Sequence, residues 1–230
     1  MPQPCEAPVV PFRRQTQPAD DLERAVALMQ EADCAWRAGR HDAAIARLRE
    51  AIALEESALG PDNPAVATAR PLLGAYLLVA GDYAEAECVL TEAVSRLSAL
   101  PDRPHESVAA RALLAELYLK QDRAAEAEAL LASLGPACEA AFGPRSPEFA
   151  RIVLAHGAAH EAAGNLAEAL LLFGKALDIS DKSKGGAEFL PVLHRALGGL
   201  VRLNFAAGRQ ATALEYLDRL LLALPDDEEE

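Results

Sequence analysis

Between Tyr83 and Leu97, apolar and small residues fall at Ala86, Val89, Leu90, Ala93, Val94 and Leu97, with Glu85, Glu87, Glu92 and Arg96 among them. Steps of three and four set these positions in one stripe of a helix, so the stretch predicts an amphipathic helix. Ala80-Gly81-Asp82 precedes it and reads as a tight turn after an earlier helical stretch. The arrangement recurs at Ala38-Gly39-Arg40, Asp122-Arg123-Ala124, Ala163-Gly164-Asn165 and Ala207-Gly208-Arg209. Five residues after each turn position stands an alanine: Ala44, Ala86, Ala127, Ala169 and Ala213, spaced by 42, 41, 42 and 44 residues. A near-constant period of this length predicts stacked helix-turn-helix units, each burying its core against its neighbours.

The period sets five helix pairs: 22–38 with 41–59, 64–80 with 83–100, 105–121 with 123–142, 147–163 with 166–180, and 191–207 with 210–224. Leu22, Pro64, His105, Pro147 and Pro191 open the first helices, and proline suits a first helical position because its missing N–H has no partner there anyway. Asp21, Asn63 and Ser146 stand just before as N-caps. A second small residue follows each buried alanine at Ala51, Ala93 and Ala176, whereas Leu134 and Leu220 break that position and predict looser junctions. Pro71 predicts a kink in its helix, and Gly135-Pro136 either ends a helix near Leu134 or bends it. Residues 1–20, with five prolines, read as a disordered leader in which Val9-Val10-Pro11-Phe12-Arg13-Arg14 is a short docking candidate. The repeats fill 21–224, and 225–230 form an acidic tail. Gly185-Gly186 makes the loop over 181–187 the most mobile internal one.

The glycine turn, the alanine five residues on and the linkers Leu59-Gly60-Pro61-Asp62-Asn63-Pro64 and Phe142-Gly143-Pro144-Arg145-Ser146-Pro147 resemble the tetratricopeptide repeat, in the longer form named after kinesin light chain. The resemblance covers residues 21–224 and implies an all-α, right-handed α-solenoid of about five helix pairs. It also implies a protein-interaction module in which the first helix of each pair lines a concave groove. HEAT repeats share the period, but the glycine-to-alanine spacing favours the tetratricopeptide form.

Composition narrows the function. The net charge is −13, so binding to nucleic acid, which needs many cationic phosphate contacts, is not expected, nor is attraction to anionic membrane surfaces. No apolar run is long enough for a membrane span. Cys5, Cys34, Cys88 and Cys138 lie on different repeats without metal-ligand spacing and read as reduced, mostly buried residues of a cytoplasmic protein. His156 and His160 are one helical turn apart, a spacing that can ligate zinc, but no acid stands between them as in metalloproteases, and packing is the simpler role. No phosphate loop or nucleophile elbow is present. The expectation is a non-enzymatic protein without cofactor or metal.

The family register places Asp33, Trp36 and Arg37 on the groove from the first repeat, and Thr68, Leu72, Leu78 and Val79 from the second. It adds Leu113, Glu116, Leu119 and Lys120, then Arg151, Leu154 and Glu161, then Arg195, Arg202 and Phe205. The lysines and asparagines of the family's carboxylate clamp are not matched, since Val26, Met29, Gln30 and Asp33 stand in the first repeat. Trp36 is either an aromatic anchor or a core residue. An apolar middle beside Arg151, Arg195 and Arg202 predicts a protein or peptide partner with apolar and acidic residues. Leu214, Leu217, Leu220, Leu221 and Leu222 in the last helix give a competing reading, a scaffold that self-associates as a homodimer through that helix. A metal-dependent enzyme is the third.

Overall fold

The computed structural model describes residues 18–61, 63–100, 102–183 and 186–223. Among these are ten α-helices and no strand: α1 Pro18–Arg37, α2 His41–Leu59, α3 Pro64–Ala80, α4 Tyr83–Ser98, α5 Pro104–Lys120, α6 Ala124–Phe142, α7 Pro147–Ala162, α8 Leu166–Lys182, α9 Leu190–Ala206 and α10 Gln210–Ala223. A 3₁₀ turn at Ala187–Phe189 leads into α9. Residues 1–17, the acidic tail 225–230 and Lys184-Gly185 of the Gly-Gly loop lie outside the described residues.

All five turns close in the same way. Each is sealed by an N–H reaching back five residues: Arg40 to Ala35, Asp82 to Leu77, Arg123 to Tyr118, Asn165 to His160 and Arg209 to Asn204, at 2.8–3.0 Å. This is the bond of a Schellman end, and it needs one residue in the left-handed region. Gly81, at φ +85°, meets the need at no steric cost. In the third turn Asp122 takes the same conformation at φ +60°, which aspartate tolerates better than most residues.

Cap chemistry explains where the first helices start. Ser146 Oγ accepts from the Phe149 N–H at 3.1 Å, and Asn63 Oδ1 accepts from Ala65 N–H at 3.0 Å. Asp21 is not a cap. The helix begins earlier, at Pro18, so Asp20 and Asp21 sit in its first turn, where carboxylates favour the positive end of the helix dipole. The helix containing Gly135-Pro136 runs unbroken from Ala124 to Phe142.

The chain divides into two compact units, 1–66 and 67–230. In the first, α1 and α2 pack around Ala25, Leu28 and Ala51, all fully buried. In the second, α4 contacts α5, α6 contacts α7 and α8 contacts α9, while α7 also touches α5 and α9. This sequential stacking is that of an all-α solenoid. The five repeat alanines Ala44, Ala86, Ala127, Ala169 and Ala213 are fully buried, as are Ala51, Ala93 and Ala176. Leu134 fills the second small-residue position of its repeat and is fully buried too. The cysteines depart from expectation. Cys138 is buried, but Cys34 and Cys88 are exposed, because both fall on the outer side of their helices.

Candidate functional site

Helices α5, α7 and α9 are the first members of their pairs and lie side by side. Alanines at 109, 112, 155 and 158 leave room between them. Between α5 and α7 this opens a pocket of about 340 Å³ whose apolar wall includes Val108, Leu113, Leu119, Phe142 and Ile152. Glu116, Glu148, Arg151 and Arg195 complete its lining. Between α7 and α9 a pocket of about 320 Å³ is lined in part by Leu154, Glu161, His194, Arg195 and Arg202. A third, of about 460 Å³, adds Lys120 beside Glu116, Leu119 and Arg195. Arg195 lines all three, so the three hollows form one groove centred on it.

The charged groups of this groove differ in what they hold. Arg151 donates to Glu148 one turn away on α7, at 2.9 Å. Arg202 on α9 makes a forked contact with Glu161 on α7, at 3.0 and 3.2 Å to the two carboxylate oxygens. Among the described residues neither Arg195 nor Lys120 has an ion pair or side-chain hydrogen bond, and both are exposed. Once the paired groups cancel, the groove presents two cations against the single carboxylate of Glu116.

The groove thus brings together Leu113, Glu116, Lys120, Arg151, Arg195 and Arg202 from the sequence-based set. The others are not among the residues that line these hollows. Asp33 and Arg37 pair with each other on α1 at 2.9 Å, and Trp36 stacks on His41 with ring centroids 4.3 Å apart. Leu72 is 44% exposed on α3 and Phe205 is 43% exposed on α9, and neither lines the three hollows. Leu78 is buried rather than groove-lining, since its side of α3 turns into the core. Phe142 was not foreseen. It comes from the end of a second helix, outside a register that counts only first helices, and His105 packs on its ring edge-on at 4.4 Å.

His156 and His160 face each other at 4.8 Å between ring centroids, with Glu128 at 3.9 Å from His160 Nδ1. Burial, and then the neighbouring His160, hold His156 below its ordinary pKa against the opposing pull of Glu128. Among the described residues no group of three or more His, Cys, Asp or Glu is placed to hold a metal ion. No described helix is long and apolar enough to cross a membrane.

Comparison with known proteins agrees with this architecture. Two tetratricopeptide-repeat family models match, over residues 23–99 and 77–137, together half of the chain. No curated protein matches the sequence. Among solved structures, a putative kinesin light chain from Podosopora anserina with nearly identical TPR-like repeats is similar at 19% identity, covering 91% of this chain and 97% of that one, with a TM-score of 0.74. BtubC (BKLC) from P. vanneervenii is similar at 16% identity, over 94% and 97% of the two chains, with a TM-score of 0.66. A Rap protein complexed with competence and sporulation factor is similar at 14% identity, over 88% of this chain and 54% of that one, with a TM-score of 0.73. Repeat, turn, cap and stacking agree with the family models: the chain is a tetratricopeptide repeat protein, similar in fold to the kinesin-light-chain repeats, and this fold serves protein–protein interaction in general.

Proposed function

We propose that the chain is a non-enzymatic adaptor that holds a peptide or helix of a partner protein in the groove formed by α5, α7 and α9. The partner segment carries an apolar side chain for the hollow walled by Leu113, Phe142 and Ile152, and a carboxylate for Arg195. The observation that carries this reading is Arg195 itself, an arginine without a carboxylate partner among the described residues of a chain with 35 acidic and 22 basic residues. A guanidinium so placed offers two parallel donors in the geometry a carboxylate accepts. Apolar contact adds about 25 cal/mol per Å² buried, before the cost of ordering the ligand. The similar Rap protein, seen complexed with competence and sporulation factor, supports the general idea that this fold can hold a ligand.

Selection from a random-peptide phage library tests the proposal. The wild-type chain is expected to enrich peptides that combine Asp or Glu with large apolar residues. Arg195→Glu is expected to weaken the selected peptides by at least about tenfold in fluorescence anisotropy. Arg202→Glu should cost less, because Arg202 already spends its fork on Glu161. Enrichment of basic peptides, or equal binding by the Arg195→Glu chain, overturns the reading.

A second reading has its own observation. On α10, Leu214, Leu221 and Leu222 are 50, 59 and 87% exposed, which favours a scaffold that pairs with its own kind. Sedimentation showing a monomer at high concentration removes it.

A further inference from the structure

We infer that the acidic segment after α10, residues 224–230, occupies the Arg195 groove of its own chain and competes there with the partner. The inference rests on the same groove as the proposed function, but its first test needs no partner. Four observations support it.

The first is where the described chain ends. The carbonyl oxygen of Ala223, the last residue of α10, lies 2.9 Å from His194 Nε2. A carbonyl only accepts, so Nε2 carries the proton and donates. This contact ties the end of α10 to α9 at the residue next to Arg195. The second is that His194 and Arg195 line the same hollow, so α10 ends at its margin.

The third is reach. Leu224-Pro225-Asp226-Asp227-Glu228-Glu229-Glu230 can span roughly 23 Å when extended, and Pro225 lacks the N–H that would continue the helix. The fourth is charge. These seven residues hold five carboxylates, the densest acidic run in the sequence. Of the charged groups in the groove, Arg151 and Arg202 are satisfied by Glu148 and Glu161, which leaves Arg195 and Lys120 opposed by Glu116 alone. A carboxylate on a tether this short meets those cations at an effective concentration in the millimolar range, so even a weak contact is populated.

The test uses the full chain and a variant of equal length, D226N/D227N/E228Q/E229Q/E230Q, which removes the charge and keeps the segment. The Arg195 Nε–Hε resonance, identified by its loss in Arg195→Lys, is followed by ¹⁵N NMR at about 25 mM and about 0.5 M salt. Docking is expected to give different resonances in the two proteins at low salt that converge at high salt. Identical resonances at low salt overturn it. In parallel, a fluorescent peptide containing Glu and Leu is expected to bind the neutralised variant roughly three- to tenfold more tightly than the wild type. The two readings fail separately. An Arg195 resonance that moves while the peptide binds neither protein supports the docked segment and defeats the adaptor reading. A peptide that binds both proteins equally, with Arg195 unmoved, leaves the adaptor and defeats the docked segment.

Discussion

The ring of Phe173 on α8 lies between two glycines of other helices. A Cβ at Gly157 on α7 would stand 2.8 Å from it, and one at Gly199 on α9 would stand 2.6 Å away. Both helices approach the ring through backbone, which only glycine permits here, and Phe173 is 2% exposed as a result. The neighbouring Gly198 has no such role: its added Cβ would meet only the Arg202 guanidinium, at 3.7 Å. The pair gives a prediction of opposite signs. Gly199→Ala should lower the urea midpoint, costing about 1–3 kcal/mol by overpacking. Gly198→Ala should be neutral or stabilising by up to about 1 kcal/mol, the ordinary helix preference. Two midpoints that fall equally would mean that the ring gives way and the glycine is not required. Nothing in the local sequence separates Gly198 from Gly199. What separates them is one step of about 100° around α9 and a ring 26 residues earlier in the chain. The same limit applies to Leu78 and Arg202. The register placed both on the groove. Leu78 instead points into the core, whereas Arg202 does line the groove but is held there by a carboxylate 41 residues away.

Helices were more legible than side chains because their ends are set by chemistry a few residues long. Ser146 shows why. Its hydroxyl donates to the Gly143 carbonyl at 3.0 Å and accepts from the Phe149 N–H, so one side chain joins the linker to the first turn of α7. Ser146→Ala should cost about 1 kcal/mol and speed hydrogen exchange at the Phe149 amide more than at amides in the middle of α7. Unchanged exchange at Phe149 would mean that water replaces the cap. Gly-Pro linkers and glycine turns gave the starts of α3, α7 and α10 directly. Pro136 did not reveal its outcome, because whether a helix survives an internal proline depends on what supports the freed carbonyl. Here the helix continues, with Cys138 wholly buried one residue beyond Ala137. The groove was legible in part. Its cations lie on first helices, where the repeat register points, but the wall given by Phe142 comes from a second helix, and the room for it comes from alanines whose meaning is only the absence of bulk.

At the scale of the whole molecule, two charge effects oppose each other as the solution is acidified from neutral. The chain carries −13 at pH 7 with an isoelectric point near 4.9, so lowering the pH removes net charge and relieves self-repulsion. His156 works in the other direction. Burial and His160 depress its pKa below the ordinary 6.5. The unfolded chain therefore binds a proton at a pH where the folded chain does not, and stability falls as pH drops from 6.5 toward the folded value. Burial raises the Glu55 carboxyl, which acts in the opposite sense to His156, but Glu55 is present in both proteins compared below and drops out of their difference. Arg123 holds Glu87 and Glu126 below the usual carboxylate range, and burial pushes the Cys138 thiol up to about 11. His156→Gln isolates the term, since it removes the titration while keeping a polar side chain at the site. The difference in melting temperature, wild type minus His156→Gln, should be larger at pH 7.5 than at pH 5.5. Net charge falls almost equally in both proteins, so self-repulsion drops out of the comparison. Parallel melting curves across that range would mean that His156 takes up its proton without cost in the folded chain, and that its contact with His160 opens to let water in.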